Sequence, residues 1–276
     1  MTAPLRLVLF AEGSESPPSS RSRQVLARIW NERLAVALEL PLFERVFPIS
    51  KTHLVAMDPT NPPMSGAGER LDQLIARMLK QTPFDAALVA WDLCPPWNPE
   101  GEYCRWTETV DLYRFLAESD CLPDLWRRRA QLRYQELNGR PKPSERSAPP
   151  IVEPGSILPL CMEPMFESLL VQDEGAVRRA MGVEGTSVKG WPKRGWGDAG
   201  VRRPDQDLLA PAVRALLNIR PKRDVLRLVR GDMKTHKSEW GELLLRRMID
   251  DARARHLITE HPIARRLSEL LLHVRS

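Results

Sequence analysis

Short apolar segments that alternate with helical segments constrain the fold of this chain more than any other feature. Residues 5–11 (LRLVLFA), 41–49 and 84–90 have the length and composition expected of β-strands, and the first is expected to be buried on both faces. Amphipathic helices are predicted between them, at residues 20–39 and 69–81. This order of strands and helices is typical of right-handed β-α-β units. The sequence therefore predicts an α/β fold with a mostly parallel central sheet flanked by helices.

Acidic residues stand at the ends of the predicted strands. Glu12 follows the first strand, Asp92 lies just past the third, and Glu167 follows a further apolar run at residues 157–161. The carboxyl ends of parallel strands meet at one edge of a sheet, where open α/β folds keep their ligand sites. Acidic residues and a proline, here Pro164, also favour a helix start, so Glu167 has a purely local explanation as well. Sequence order alone leaves both interpretations open.

The remainder of the chain is predicted to belong to the same domain, residues 1–276. Residues 93–154 contain a Pro-rich stretch and two helical runs, which indicates a segment inserted after the third strand. A lid, a partner surface and a nucleic-acid contact are the open interpretations of that insertion. Residues 206–276 are predicted to be helical and to cover the sheet.

Composition narrows the class of protein. A hydrophobic content of 42% and a charged content of 28% over 276 residues are those of a globular protein with ample core. No apolar run approaches the ~20 residues needed to cross a bilayer, so no membrane partner is expected. The four cysteines form no CxxC pair, which argues against a structural zinc site or a disulfide scaffold. The cysteines are therefore interpreted as reduced thiols, and a cytoplasmic location is expected.

Basic residues concentrate in two regions. Residues 214–276 hold 15 Lys and Arg against 8 Asp and Glu, an excess that attracts phosphates but is as common on solvated helices. Residues 185–203 interleave tryptophans with cations, as single-stranded nucleic-acid sites do. The alternative for this loop is that at least one tryptophan packs into the core. The candidate nucleic-acid-binding residues are Lys189, Trp191, Lys193, Arg194, Trp196, Arg202 and Arg203.

Carboxylates gathered at one edge of the sheet favour a divalent cation. Like charges raise one another's pKa unless a cation joins them, and Mg²⁺ or Mn²⁺ prefers carboxylate and water oxygens. Such an ion holds phosphate oxygens and activates water. Lys222, in a helix predicted at residues 221–229, is a candidate to offset charge that develops on the phosphoryl oxygens. The alternative is that Lys222 is simply exposed to solvent in the first turn of its helix, as single lysines commonly are.

The order of these segments resembles the TOPRIM fold of topoisomerases, bacterial primases and OLD-family nucleases. More narrowly, it is similar to a small uncharacterised bacterial family associated with defence and mobile-element loci. The motifs that carry the resemblance are LVLFAEG with Glu12, VAWD with Asp92, FESLLVQD with Glu167 and Asp173, RPKRDVL with Lys222, and SEWGELLLRRMIDDARARH followed by Pro262. The second motif of the family is Asp-x-Asp, whereas this chain has Cys94 at the second acidic position.

The resemblance implies metal-dependent cleavage of phosphodiester bonds. Glu12 is then ligand or general base and Lys222 stabilises the transition state, while Asp92, Glu167 and Asp173 bind Mg²⁺ or Mn²⁺. The implied substrate is nucleic acid, DNA in preference to RNA, in a bacterial defence setting, with a protein partner from the same operon as a further expectation. Two alternatives stay open. One is a non-catalytic TOPRIM-like binding subunit of a larger bacterial complex, which the missing second acid favours, and the other is a phosphohydrolase that acts on nucleotides.

Overall fold

The chain folds around a parallel β-sheet, seen in a computed structural model that describes residues 5–13, 20–50, 53–54, 69–93, 106–140, 152–219 and 233–272. The sheet has four strands, all parallel, in the order β2-β1-β3-β4. The strands are β1 (Leu7–Glu12), β2 (Arg45–Ile49), β3 (Ala86–Asp92) and β4 (Ile157–Met162). The prediction of an α/β fold with a parallel sheet is confirmed.

The helices follow the predicted order over most of the described residues. They are α1 (Ser20–Ala27), α2 (Leu71–Gln81), α3 (Trp106–Glu118), α4 (Asp124–Asn138), α5 (Glu174–Met181), α6 (Ala210–Ile219), α7 (Met233–Asp250), α8 (Arg255–Glu260) and α9 (Pro262–Leu272). A π-helical stretch, Arg28–Ala35, extends α1, and another, Asp205–Leu209, leads into α6. A 3-10 helix, Phe166–Leu170, follows β4.

Each face of the sheet has its own hydrophobic core. Leu7, Leu9 and Ala11 of β1 face one core, and Val8 and Phe10 face the other. This alternation follows from the period of two along a strand. Because both faces are covered by helices, β1 is apolar at nearly every position, as strands buried on both sides are.

The two cores are built from different parts of the chain. The first core joins α1 and its extension to α5 and to the helices after residue 205, represented by Trp30, Leu209, Trp240 and Leu267. The helical C-terminal region therefore covers the sheet, as predicted. The second core joins α2 to α3 and α4, represented by Tyr113. The described part of the predicted insertion thus packs on the sheet and forms the connection from β3 to β4.

The prediction of a helix opening at Pro164 is wrong in its detail. Met165 has an extended backbone (φ −162°, ψ 171°), and only a short 3-10 helix follows before Asp173 caps the start of α5. Residues 94–105 and 141–151 of the predicted insertion lie outside the described residues, and so does the whole of the helix predicted at residues 221–229. No helix in the described part of the chain is long and apolar enough to span a membrane.

Candidate acidic site at the carboxyl end of the sheet

The strand order creates a switch point between β1 and β3. From β1 the chain passes to β2 on one side, and it then crosses back to reach β3 on the other side of β1. Ligand sites of open parallel sheets lie beyond the carboxyl ends of the strands at such a point. Glu12 is the last residue of β1 and Asp92 is the last residue of β3. Both predicted acids therefore lie where the topology favours a site.

Two hydrogen bonds from backbone amides to carboxylates link the segments that carry the predicted acids. The amide of Asp92 donates to Oε2 of Glu12 at 3.1 Å, and the amide of Phe166 donates to Oδ1 of Asp92 at 2.9 Å. The second bond fixes the 3-10 helix that carries Glu167 to the end of β3. Glu12, Asp92 and Glu167 are thus brought together at one end of the sheet.

A lysine from the C-terminal region enters this group of acids. The Nζ atom of Lys237, on α7, lies 3.2 Å from Oε1 of Glu167. It also lies 3.2 Å from Oδ2 of Asp205, at the start of the π-helical stretch before α6. Glu167 is 5% exposed and Asp205 is 9% exposed, so the lysine pairs with two buried carboxylates.

The charges of this group perturb one another. Burial raises the pKa of Glu167 to about 7, the ammonium of Lys237 opposes that rise, and the carboxylates of Asp92 and Asp205 add to it. Burial alone would lower the pKa of Lys237, but the carboxylates of Glu167, Asp92 and Asp205 outweigh it and raise that pKa above its ordinary value. Lys237 is therefore held in its charged form, whereas Glu167 gains a proton unusually easily.

Two carboxylate oxygens of the site lack a partner among the described residues. Oε2 of Glu167 and Oδ1 of Asp205 are both buried without a hydrogen bond. Burial of a carboxylate oxygen without a hydrogen-bond partner costs free energy of folding. A cation bound to these oxygens would offset that cost.

The ligand set for a metal is incomplete within the described residues. No three His, Cys, Asp or Glu side chains there are grouped closely enough to hold a metal ion. Mg²⁺ is commonly held by one or two carboxylates, with waters and substrate oxygens completing its shell. Glu167, whose buried Oε2 has no partner among the described residues and which interacts electrostatically with Asp92, therefore fits a Mg²⁺ or Mn²⁺ ion as part of its ligand set.

Asp173, predicted as a metal ligand, has a local role. It is the N-cap of α5, and its Oδ1 accepts a hydrogen bond from the amide of Ala176 at 2.6 Å. A carboxylate in this position satisfies one of the unpaired amides of the first helical turn. The Lys222 and Cys94 positions lie outside the described residues.

The predicted nucleic-acid-binding loop exposes its cations and packs its indoles. Trp191 is 6% exposed and belongs to the first core, which is the alternative left open for this loop. Its ring stacks on Trp196 at a centroid distance of 5.9 Å, and the Arg178 guanidinium lies 4.4 Å from its centroid. These contacts leave the cations as the groups that face solvent. The exposed cations are Lys189, Lys193, Arg194, Arg202 and Arg203.

Sequence reasoning missed Asp205 and Lys237. Asp205 follows a proline and precedes a helix, so its sequence context indicates only a favourable helix start. Lys237 is one of many cations in the basic C-terminal region and lies in no phosphate-binding motif. Only the packing of α7 brings the two side chains together.

Comparison of the chain with protein-family models, with curated proteins and with solved structures finds no match.

Proposed function

We propose that this protein is a TOPRIM-like nuclease that uses a divalent metal ion to hydrolyse phosphodiester bonds of nucleic acid. The observation that carries the proposal is the meeting of Glu12, Asp92 and Glu167 at the switch point of the sheet, through the hydrogen bonds of Asp92. Strand ends of this kind hold side chains rigidly, as a catalytic site requires.

Each residue has a distinct role in the proposed reaction. Asp92 and Glu167 would hold Mg²⁺ or Mn²⁺, and Asp173 is a further candidate ligand. Such an ion would supply positive charge to a phosphoryl oxygen and favour attack by water. Glu12 serves as ligand or takes the proton of the attacking water. Lys222 offsets the charge that develops on the phosphoryl oxygens.

The exposed cations of residues 185–203 support nucleic acid as the substrate. Phosphate contacts made by lysine and arginine position a polyanion without reading its sequence. We propose DNA in preference to RNA. The proposed setting is a bacterial cytoplasm, in defence against mobile elements, with a protein partner from the same operon.

A nicking assay on supercoiled plasmid tests the activity directly. Glu12→Gln and Asp92→Asn are expected to lower the Mg²⁺- or Mn²⁺-dependent rate by about 100-fold or more, because each removes a charge from the reacting centre. Glu118→Gln, at an exposed acid on α3, is the matched control and should leave the rate unchanged. Full cleavage by both Glu12→Gln and Asp92→Asn would overturn the assignment.

A non-catalytic binding subunit is the second candidate function. The observation that favours it is the ion pair of Lys237 with Glu167 and Asp205, because an internal cation already neutralises part of the acidic site. This alternative predicts that calorimetry detects no Mg²⁺ binding and that the chain co-purifies with a partner. A metal-dependent rate in the plasmid assay that Glu12→Gln abolishes would exclude it.

A further inference from the structure

The placement of Lys237 between two buried acids has a consequence for how many ions the site can hold. Its ammonium lies 3.2 Å from Oε1 of Glu167 and 3.2 Å from Oδ2 of Asp205. Each of these carboxylates has a second, buried oxygen without a hydrogen-bond partner in the described part of the chain. The lysine therefore sits between two carboxylates that are only half satisfied.

The backbone supports this placement. α7 has a non-helical residue, His236 (φ −132°, ψ 35°), immediately before Lys237. The regular part of α7 after that residue packs in the first core through Trp240 and Leu244, both fully buried. The lysine thus projects from the first residue after a kink, on a helix segment that the core holds in place.

We propose that Lys237 is a resident cation that occupies the place of a second divalent ion, so that this site binds one divalent ion per chain. The inference rests on the proposed function, which requires one ion near Asp92. Sites that hydrolyse phosphodiesters often hold two ions ~4 Å apart. Here the positive charge that a second ion would supply comes from the ammonium.

The geometry explains why the ammonium and an ion exclude one another. A Mg²⁺ or Mn²⁺ ion binds carboxylate oxygens at roughly 2.1 Å, so it would draw Glu167 and Asp205 about 1 Å closer than the lysine does. The ion would also occupy the position of the Nζ atom of Lys237. Removal of the ammonium leaves two buried carboxylates that repel each other, which is the condition under which an external cation binds.

Counting bound Mn²⁺ tests the inference without reference to activity. Electron paramagnetic resonance of the full chain, titrated with Mn²⁺ alone, should give one bound ion for the wild type and two for Lys237→Met. Lys237→Arg keeps the charge and should bind one. The double variant Asp205→Asn/Lys237→Met removes the lysine together with an acid that the proposed first ion does not use, so it should still bind one ion.

Lys237→Gln is the alternative variant if Lys237→Met does not fold, because its amide still donates hydrogen bonds to the two acids. Should neither variant fold unaided, addition of Mn²⁺ is expected to restore the far-ultraviolet circular dichroism of the wild type. Failure of Mn²⁺ to do so would count against the inference.

The outcomes separate the inference from the proposed function. If the wild type and Lys237→Met each bind one ion, the inference is wrong and the nuclease proposal stands. Two ions on the wild type have the same meaning. No ion on the wild type removes the basis of both. One ion on the wild type and two on Lys237→Met support both.

Discussion

Acid should destabilise this protein through one buried histidine, His261. The side chain is 9% exposed, and burial lowers its pKa to about 4. Its Nδ1 atom accepts a hydrogen bond from the amide of Ile263 at 3.2 Å, in the first turn of α9. A proton on Nδ1 would therefore charge a buried ring and also remove the acceptor for that amide.

The sign and the size of the effect follow from this pKa. The unfolded chain takes up the proton near pH 6.5 and the folded chain only near pH 4, so the neutral histidine contributes its full stability above pH 6.5. That contribution falls between these values and is lost below about pH 4. Its full size is about 3 kcal/mol, of which about 2 kcal/mol is lost between about pH 7.5 and 5.

Urea unfolding at several pH values measures this loss. His261→Asn keeps an acceptor for the Ile263 amide but cannot take up the proton, so its free energy of unfolding should fall by about 2 kcal/mol less than that of the wild type over the same range. His256→Asn, at an exposed histidine of α8, is the matched control and should follow the wild type. Parallel pH curves for the wild type and His261→Asn would refute the reasoning.

Other side chains give separate tests. Trp191→Ala should lower the free energy of unfolding by about 3–5 kcal/mol in urea, because the ring lies in the first core; a change below about 1 kcal/mol would contradict that placement. The double variant Lys193→Ala/Arg194→Ala should weaken nucleic-acid binding and reduce its salt slope by about 2, with stability within about 0.5 kcal/mol of the wild type. An unchanged slope would remove these cations from the interface. Asp173→Ala should cost about 1 kcal/mol through the lost N-cap, whereas Asp173→Asn keeps the cap. If Asp173→Asn also loses Mn²⁺ binding, the residue is a ligand in addition to a cap.

The sheet was predictable because burial of both faces leaves a clear pattern in the sequence. The apolar run that includes β1 needs no partner to be recognised, and an acid at its end indicates a site once the strands are known to be parallel. The pairing of Lys237 with Asp205 leaves no such pattern, since it depends on how a kinked helix packs on a distant part of the chain. The burial of Trp191 also leaves no pattern in the sequence. Its interpretation as a base-stacking residue requires an exposed ring, and only the fold determines whether that ring is exposed.

The position of β4 has a consequence for truncated forms of this protein. β4 pairs only with β3 and so ends the described sheet, yet all six of its residues are buried. α9 packs against it. A chain that stops before α9 would uncover an apolar strand with unpaired amides and carbonyls, which is a template for pairing with another chain. Fragments ending before residue 262 are therefore expected to aggregate, even where the rest of the sheet is intact.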